Sequence, residues 1–487
     1  MKRKYRHVML RIMALTLVLT TVSLSGCGDK GQTGEQVVVE MKNPGGAAGE
    51  TDAEQISKEQ EKEMISDQNP EEQEQEQEPK SQETEEEVPI LRDAVEKELG
   101  GYIGTCISGQ ILQDKKLWNL VTTHYNAVTL ENELKPDCMF GYSNARCPGT
   151  EEITFGGEIM TVPKLDYSRA EKLLDKVLLW NQDNPEKQIK VRGHVLVWHS
   201  QTPEWFFHEN YDKTQNYVSV DEMNKRLEWY ICSVLTHFTG PDSKYHGMFY
   251  GWDVVNEAIS DATGSYRTEK ENPDEPLSND THGNNSSWWA VYQSNEYIIN
   301  AFRYANQYAP QEVELYYNDY NECSSKKSLG IVELLKAVKE QEGVPGEGTR
   351  IDGMGMQGHY SVSGPSFSEF ETAISRYAAV VGQIQLTEVD MKASDDYDGS
   401  DEAKEAEYKK MAQRYQTLYF TLKNKNAQDD ICVGGITFWG TVDHYSWLQS
   451  RSNVGGGSKK SLPQCPLLFD EHYQPKPAFY VFAGGEE

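Results

Sequence analysis

The chain is poor in positive charge for its length. Its 487 residues include 47 Lys and Arg against 77 Asp and Glu, which gives a formal net charge of −30. Proteins that bind nucleic acid rely on a basic surface to neutralise phosphates, and this balance is the opposite of what they need. The composition therefore argues against a nucleic-acid partner and leaves uncharged ligands open.

Cysteine and metal-binding patterns are also scarce. Apart from Cys27, seven of the 8 cysteines are left, an odd number that cannot pair completely within one chain. No Cys-x-x-Cys and no His-Glu-x-x-His occurs, and the Gly-x-Gly-x-x-Gly pattern at 353–358 does not open a helix. Cys138 and Cys147 lie in one loop-like stretch and are candidates for a disulfide. The sequence therefore predicts no metal site and no bound cofactor.

Long apolar runs are absent except near the N-terminus. The run at 12–24 is too short to cross a bilayer comfortably, and basic residues precede it. It ends in Leu-Ser-Gly-Cys at 24–27, which resembles the lipobox of bacterial lipoproteins. This resemblance implies a lipoprotein signal peptide over 1–26, lipidation of Cys27, and export to the bacterial cell surface with a membrane anchor. The alternatives are an ordinary signal peptide and an uncleaved anchor.

Residues 27–90 lack the apolar side chains that a core needs. The part at 50–90 contains 16 Asp and Glu against 3 Lys, largely in a Glu-Gln repeat. Such a segment stays solvated, so we predict an acidic disordered linker; a helix in its Glu, Lys and Gln stretch would serve equally as a spacer. The linker would hold the domain that follows, at 91–487, away from a surface.

From residue 91 the pattern changes to apolar runs that alternate with amphipathic stretches. Strands are expected at 102–107, 126–130, 189–198, 248–255, 313–318, 351–357, 384–388 and 431–439. Helices are expected at 167–181, 220–237, 288–308, 325–342, 366–381 and 403–424. Eight such units predict an α/β fold, a (β/α)8 TIM barrel with loop insertions, with a doubly wound sheet as the alternative.

Polar residues gather at the predicted carboxyl ends of these strands. In a parallel barrel these ends open onto one face, where barrel enzymes place their chemistry. The residues that the pattern brings to this face are Glu131, Asn132, Lys135, His194, Trp198, Gln201, Asn256, Glu257, Asn318, Asp319, Gln357, His359, Glu388 and Trp439.

Two glutamates in this set have similar settings. Glu257 closes the run Trp-Asp-Val-Val-Asn-Glu at 252–257, and Glu388 closes Ile-Gln-Leu-Thr-Glu at 384–388. A carboxyl pair across a bound sugar can divide the duties of acid and nucleophile. The structural alternative for each glutamate is a salt-bridged strand end, which paired placement on two strands disfavours.

Five segments resemble glycoside hydrolase family 10 and occur in that family's order. They are 192–205 (Arg-Gly-His-Val-Leu-Val-Trp-His-Ser-Gln-Thr-Pro-Glu-Trp), 252–258 (Trp-Asp-Val-Val-Asn-Glu-Ala), 318–321 (Asn-Asp-Tyr-Asn), 387–390 (Thr-Glu-Val-Asp) and 437–440 (Thr-Phe-Trp-Gly). The resemblance covers about 95–483 and implies a retaining endo-β-1,4-xylanase that acts on xylan or xylo-oligosaccharides. The second-strand segment departs from the family's usual residues, which we interpret as packing changes. We expect a monomer.

The resemblance also implies roles for individual residues. Glu257 would be the general acid/base and Glu388 the nucleophile, which His359 and Asp390 would keep ionised; the charge of Glu388 would keep Glu257 protonated. The substrate-binding set would be Glu131, Asn132, Lys135, His194 and Gln201 on hydroxyls, Asn256 on the 2-hydroxyl, Trp198, Trp439 and Trp447 as aromatic walls, His359, and Tyr320 and Gln357 on the same ring or the aglycone side. Trp205, Trp229 and Trp252 are expected in the core.

Two other functions stay open on the sequence. One is another β-1,4-glycanase that cuts glucan on the same barrel, since the sequence does not fix whether a C6 hydroxymethyl fits. The other is a surface lipoprotein that captures oligosaccharides without cleaving them, although pure capture needs no glutamate pair. The polar stretch at 261–285 predicts an enlarged fourth βα loop near the leaving-group sugars, so preference among decorated xylans is also open.

Overall fold

The computed structural model describes residues 88–269, 285–343, 348–427, 431–449 and 464–484. The expected signal peptide at 1–26, Cys27 and nearly all of the 27–90 linker lie outside these ranges, as does most of the 261–285 stretch. Within the described ranges, no helix is both long enough and apolar enough to cross a membrane.

Eight parallel strands close into a barrel. In chain order the described strands are β1 (Tyr102–Ile107), β2 (Ala127–Leu130), β3 (Thr150–Phe155), β4 (Glu158–Pro163), β5 (Lys190–Trp198), β6 (Phe249–Asn256), β7 (Glu314–Asp319), β8 (Gly353–Met356), β9 (His359–Ser361), β10 (Gln383–Lys392) and β11 (Cys432–Phe438). All except β3, β4 and β9 belong to the barrel, and β11 pairs with both β10 and β1. The predicted (β/α)8 barrel is confirmed. The doubly wound alternative is wrong, because that fold has two open edges.

Helices connect successive barrel strands. They are α1 (Leu91–Leu99), α2 (Lys115–His124), α3 (Pro136–Met139), α4 (Ser168–Asp183), α5 (Val220–Thr239), α6 (Ser287–Tyr292), α7 (Glu296–Tyr308), α8 (Ser325–Lys339), α9 (Phe367–Ala378), α10 (Asp401–Asn426) and α11 (Pro477–Ala483). Serine side chains cap the amino ends of several of them: Ser219 accepts from Glu222 N before α5, and Ser366 forms a capping box with Glu369 before α9.

Two parts of the sequence prediction need correction. The single helix expected at 288–308 is two helices, α6 and α7, because Gln293 adopts a left-handed conformation (φ 50°) that ends α6. Cys138 and Cys147 are free thiols, so the disulfide considered between them is absent.

The hairpin of β3 and β4 is an insertion between β2 and α4. It was not predicted from the sequence. Its strands pair antiparallel around Gly156 and Gly157, both with positive φ. Tyr211 Oη donates to the Thr161 carbonyl at 2.9 Å and ties the hairpin to the loop that follows β5. The insertion lies beside the second and third βα loops.

The core has an apolar layer between strands and helices and a polar interior. Trp205, Trp229 and Trp252 are buried as expected, and the Trp252 ring lies 6.3 Å from Phe238 of α5. Inside the barrel, the Arg192 guanidinium donates to Asp253 at 2.5 and 3.2 Å. This polar interior supports the residues above it at the carboxyl ends of the strands.

Candidate active site

Glu257 and Glu388 lie at the same end of the barrel, on strands separated by β7 and β8. Glu257 follows the last residue of β6, and Glu388 lies within β10, which runs four residues beyond the predicted strand end. Strand pairing is irregular at this level: the register between β10 and β11 shifts between Leu386 and Val389. Such bulges re-aim side chains, and they concentrate next to active sites.

A chain of three amides connects the two carboxyl groups. Asn256 Oδ1 accepts from Asn318 Nδ2 at 3.0 Å and from Gln357 Nε2 at 3.2 Å. Asn318 Nδ2 also donates to Glu388 Oε1 at 2.7 Å, and Gln357 Nε2 also donates to Glu257 Oε1 at 2.9 Å. Because each amide is shared, the positions of the two carboxyl groups depend on one network.

Glu388 lies among basic side chains. It is 5% exposed, with His359 Nε2 3.3 Å from Oε2 and His194 Nε2 4.0 Å from Oε1. Burial favours the neutral acid, but the charges of His194, His359 and Lys135 outweigh it and lower the pKa of Glu388 to about 2. Glu388 is therefore a carboxylate at neutral pH.

His359 bridges two carboxylates. Its Nδ1 lies 3.0 Å from Asp390 Oδ1, and Asp390 Oδ2 accepts from Trp447 Nε1 at 2.7 Å. Burial lowers the pKa of His359, but the charges and hydrogen bonds of Asp390 and Glu388 have the larger effect and raise this pKa to about 10. The structure thus places an imidazolium between Asp390 and Glu388.

Glu257 has a different setting. Its Oε2 accepts from Trp198 Nε1 at 2.9 Å, and its Oε1 accepts from Gln357, so both of these donors are neutral. The residue is half-buried and adopts a left-handed backbone conformation with φ 54°. This turn directly after β6 directs the carboxyl group over the end of the barrel.

Aromatic rings surround these carboxyl groups. Lys135 Nζ lies 5.2 Å from the Trp198 ring and 6.0 Å from the Trp439 ring, and it donates to Asn132 Oδ1 at 3.1 Å. The Trp439 ring lies 5.6 Å from that of His194. Apolar ring faces beside amide and charged hydrogen-bonding groups are the chemistry that a sugar ring requires.

The family model described as glycosyl hydrolase family 10 matches residues 91–484. The chain belongs to glycosyl hydrolase family 10. Its curated relatives include the bifunctional endo-1,4-beta-xylanase of Ruminococcus flavefaciens, 31% identical over 77% of this chain and 32% of the relative. Endo-1,4-beta-xylanase A of Butyrivibrio fibrisolvens is 30% identical over 73% of this chain and 79% of the relative. The chain thus spans only about a third of the length of the Ruminococcus protein.

Solved family 10 structures share the barrel. A psychrophilic family 10 endo-β-1,4-xylanase superposes with a TM-score of 0.59 at 29% identity, covering 82% of this chain and 100% of the other. A Clostridium thermocellum xylanase complexed with xylohexaose has a TM-score of 0.63 at 26% identity, covering 81% of this chain and 67% of the other.

Two residues of the predicted binding set, Gln201 and Tyr320, form hydrogen bonds with side chains other than the two carboxyl groups. Gln201 Nε2 donates to Asp137 Oδ2 at 3.1 Å, beside α3. The Tyr320 hydroxyl accepts from Arg267 Nη2 at 3.0 Å. Burial raises the pKa of Glu131, which follows β2 on the same side as Lys135. The remaining predicted binding residues contact Glu257, Glu388 or side chains that neighbour them: Asn132, Lys135, His194, Trp198, Asn256, Gln357, His359, Trp439 and Trp447.

The sequence analysis missed three supporting residues of this family 10 site. Asn318 was noted at a strand end but given no role, although it holds Glu388. Arg192 and Asp253 form a buried pair below His194, whose Nδ1 lies 3.0 Å from Asp253 Oδ2. An arginine inside a strand that is otherwise buried was the available signal, because a buried charge requires a partner.

Proposed function

We propose that this chain is an endo-β-1,4-xylanase that cleaves xylan with retention of configuration. The observation that carries the proposal is the contrast between the two carboxyl groups: Glu388 is held ionised among histidines, whereas Glu257 is held by neutral donors. Retaining glycosidases require one carboxylate and one carboxylic acid on opposite sides of the scissile bond. Membership of family 10 supports the same assignment.

In the first step, Glu388 attacks the anomeric carbon and forms a covalent glycosyl ester. The bond between that carbon and the glycosidic oxygen breaks, and Glu257 transfers its proton to the departing oxygen. The imidazolium of His359 and the amide of Asn318 hold Glu388 ionised and aimed before the reaction. This arrangement fixes the nucleophile without reorganisation during the step.

In the second step, the same groups act in reverse. Glu257, now a carboxylate, takes a proton from water, and the resulting hydroxide displaces Glu388 from the anomeric carbon. Two inversions return the β configuration at the new reducing end. Glu257 protonates the departing glycosidic oxygen in the first step and deprotonates the attacking water in the second. These two oxygen atoms occupy the same position, so a fixed orientation of the Glu257 carboxyl group serves both steps.

Asn256 is suited to bind the 2-hydroxyl of the sugar attacked by Glu388. Its Oδ1 is committed to Asn318 and Gln357, whereas its buried Nδ2 has no hydrogen-bond partner among the described residues. A buried donor of this kind is costly unless a ligand satisfies it. Lys135 and the predicted polar set would bind the neighbouring hydroxyls, and Tyr320 and Gln357 would contact the same ring or the aglycone side.

The test is a proton NMR time course on xylan. We expect new reducing ends to form first in the β configuration and to mutarotate later. An initial α signal would contradict retention, and no release over hours while xylohexaose still binds would favour a capture protein. Reducing-sugar release should also be greater on xylan than on carboxymethyl-cellulose; the reverse would favour a glucanase.

The N-terminal segment extends the proposal to location. A signal peptide at 1–26, a lipid on Cys27 and an acidic linker to residue 90 would tether the monomeric barrel to the bacterial cell surface. Labelling with radioactive palmitate in a bacterial host should mark the wild-type protein and not the Cys27→Ala variant. Label in both proteins, or in neither, would contradict the lipid anchor. The expected monomer is tested separately, by light scattering of the barrel, which should give the mass of one chain.

A further inference from the structure

The backbone at Glu257 adopts a conformation that side chains with a Cβ rarely take. Its φ of 54° lies in the left-handed region, immediately after β6 ends at Asn256. Conformations of this kind persist only where the surroundings enforce them, and they concentrate at functional sites. The groups that hold the two peptide units around Glu257 therefore determine where its carboxyl group points.

Three hydrogen bonds hold these peptide units. Glu257 N donates to the Asn318 carbonyl at 2.9 Å, and Ala258 N donates to the Tyr317 hydroxyl at 2.9 Å, both on β7. The third comes from a side chain: Arg267 Nε donates to the Glu257 carbonyl at 2.7 Å. The carbonyl of the left-handed residue is thus fixed by a guanidinium and not by a neighbouring strand.

Arg267 is brought there by the loop that follows Glu257. The loop folds back on itself, with Arg267 N donating to the Ala258 carbonyl at 2.8 Å and Ser260 N donating to the Ser265 carbonyl at 2.8 Å. The Arg267 side chain is only 1% exposed. Burying a guanidinium is costly, so its hydrogen bonds have to be well made.

A charged cluster supports the far side of the guanidinium. Arg267 Nη2 donates to the Tyr320 hydroxyl at 3.0 Å, and Lys327 Nζ lies 3.7 Å from the centre of the Tyr320 ring. Lys327 Nζ in turn lies 2.8 Å from Asp319 Oδ1 and 2.9 Å from Asp261 Oδ1. Residues from β7, α8 and the loop after β6 therefore fix Arg267 from several directions.

We propose that Arg267 is a positioning residue that aims the Glu257 carboxyl group at the leaving-group oxygen. It acts through the backbone carbonyl of Glu257, and Tyr320 holds the guanidinium in place for this purpose. The inference rests on the proposed function of Glu257 as general acid/base. It gives Tyr320 a role in orienting the acid in addition to the contact with sugar expected from the sequence.

The test compares leaving groups, because only a poor leaving group needs the proton from Glu257. We would measure kcat/KM of the full chain on 2,4-dinitrophenyl and phenyl β-xylobiosides, with active enzyme counted by a 2-fluoro xylobioside inactivator. Arg267→Met should lower kcat/KM on the phenyl substrate by about 10- to 100-fold and on the dinitrophenyl substrate by less than about 3-fold, since a misplaced general acid loses much of a 10²–10⁴-fold contribution. Arg267→Lys keeps one hydrogen-bond donor, so its kcat/KM on the phenyl substrate should lie between the values for the wild type and for Arg267→Met.

The matched control is Arg226→Met. Arg226 is also buried, and its Nη1 donates to the Phe206 and His208 carbonyls at 2.8 and 2.9 Å, away from Glu257. Its loss should leave the ratio of the two kcat/KM values unchanged. Equal losses on both substrates in Arg267→Met would mean that Arg267 is merely structural and would overturn the proposal.

Two further variants keep the outcomes separate. Glu257→Ala should itself lose the phenyl substrate selectively; if it does not, the proposed role of Glu257 is wrong, whatever Arg267 does. If Glu257→Ala behaves as expected but Arg267 variants are not selective, only the positioning role is overturned. Should Arg267→Met not fold, Tyr320→Phe and Arg267→Lys decide: a phenyl-selective loss in either variant supports the proposal, and an unchanged ratio in both overturns it.

Discussion

The imidazolium of His359 offers a direct test of how the site keeps Glu388, the proposed nucleophile, ionised. His359→Gln preserves the approximate size of the side chain and removes the charge that lies 3.3 Å from Glu388 and 3.0 Å from Asp390. A nucleophilic Glu388 reacts as the carboxylate, so activity should fall as pH drops through its pKa. In the wild type this acid limb should lie near pH 2, since the pKa of Glu388 is about 2.

The size of the shift follows from the contacts that are lost. A hydrogen bond to a charged group contributes about 1.5–3 kcal/mol, and one pH unit corresponds to about 1.4 kcal/mol, so losing His359 should raise the pKa of Glu388 by one to two pH units. In His359→Gln, burial still raises the pKa of Glu388, and the charges of His194 and Lys135 still lower it. The acid limb of His359→Gln should therefore lie at about pH 3 to 4.

The assay is the pH dependence of kcat/KM on 2,4-dinitrophenyl β-xylobioside from about pH 1.5 to 7, a range that includes the acid limbs expected for the wild type and for His359→Gln. This substrate leaves without protonation, so the acid limb reports the nucleophile and not Glu257. The control is His472→Gln, an exposed histidine whose Nε2 lies 3.9 Å from Glu471, which should leave the limb in place. An acid limb that does not move in His359→Gln would refute the claim that this imidazolium holds Glu388 ionised.

Three further predictions concern the nucleophile and the fold. Glu388→Ala should abolish turnover, and added azide should restore it with an α-glycosyl azide product, identified by NMR; a β product would mean that the carboxyl roles are reversed. Gly193→Ala should destabilise the barrel by about 3 kcal/mol in urea unfolding, because the new Cβ would overlap the Trp252 ring; an unchanged midpoint would show that the strands can shift. Lys476→Met should cost about 3–5 kcal/mol by the same measurement at about pH 8, above the pKa of about 6 to which burial raises Asp443, since this carboxylate, now 2.8 Å from Lys476 Nζ, would be left as a buried unpaired charge. A cost below about 1 kcal/mol would mean that Asp443 simply becomes protonated.

The barrel could be predicted because its strands are buried on both faces. Apolar runs of the right length, such as 189–198 and 313–318, separate clearly from the amphipathic segments between them. The hairpin of β3 and β4 could not be found this way, because its strands are mostly exposed and carry no such run. Its turn at Gly156 and Gly157 was the one available signal.

The site residues could be placed at strand ends, and the resemblance implied that His359 and Asp390 would keep Glu388 ionised, but the contacts that bring these residues together could not be read from the sequence. His359 and Asp390 are 31 residues apart, and only the pairing of β9 with β10 sets them side by side. Arg267 was missed because its role depends on a loop that folds back to the carbonyl of Glu257. Contacts of this kind depend on loop geometry, for which the hydrophobic pattern carries no information.

The two glutamates show why the residue type alone does not determine the role. Glu388 lies inside β10, where a register shift between Leu386 and Val389 lets its carboxylate meet the imidazoles of two other strands. Glu257 follows the end of β6, and its left-handed backbone conformation brings its carboxyl group to the neutral donors Trp198 and Gln357. In a regular strand, successive side chains point to opposite faces of the sheet, and that alternation alone would set the direction of the glutamate side chain at either position. The different roles proposed for Glu257 and Glu388 therefore depend on two local departures from regular strand geometry.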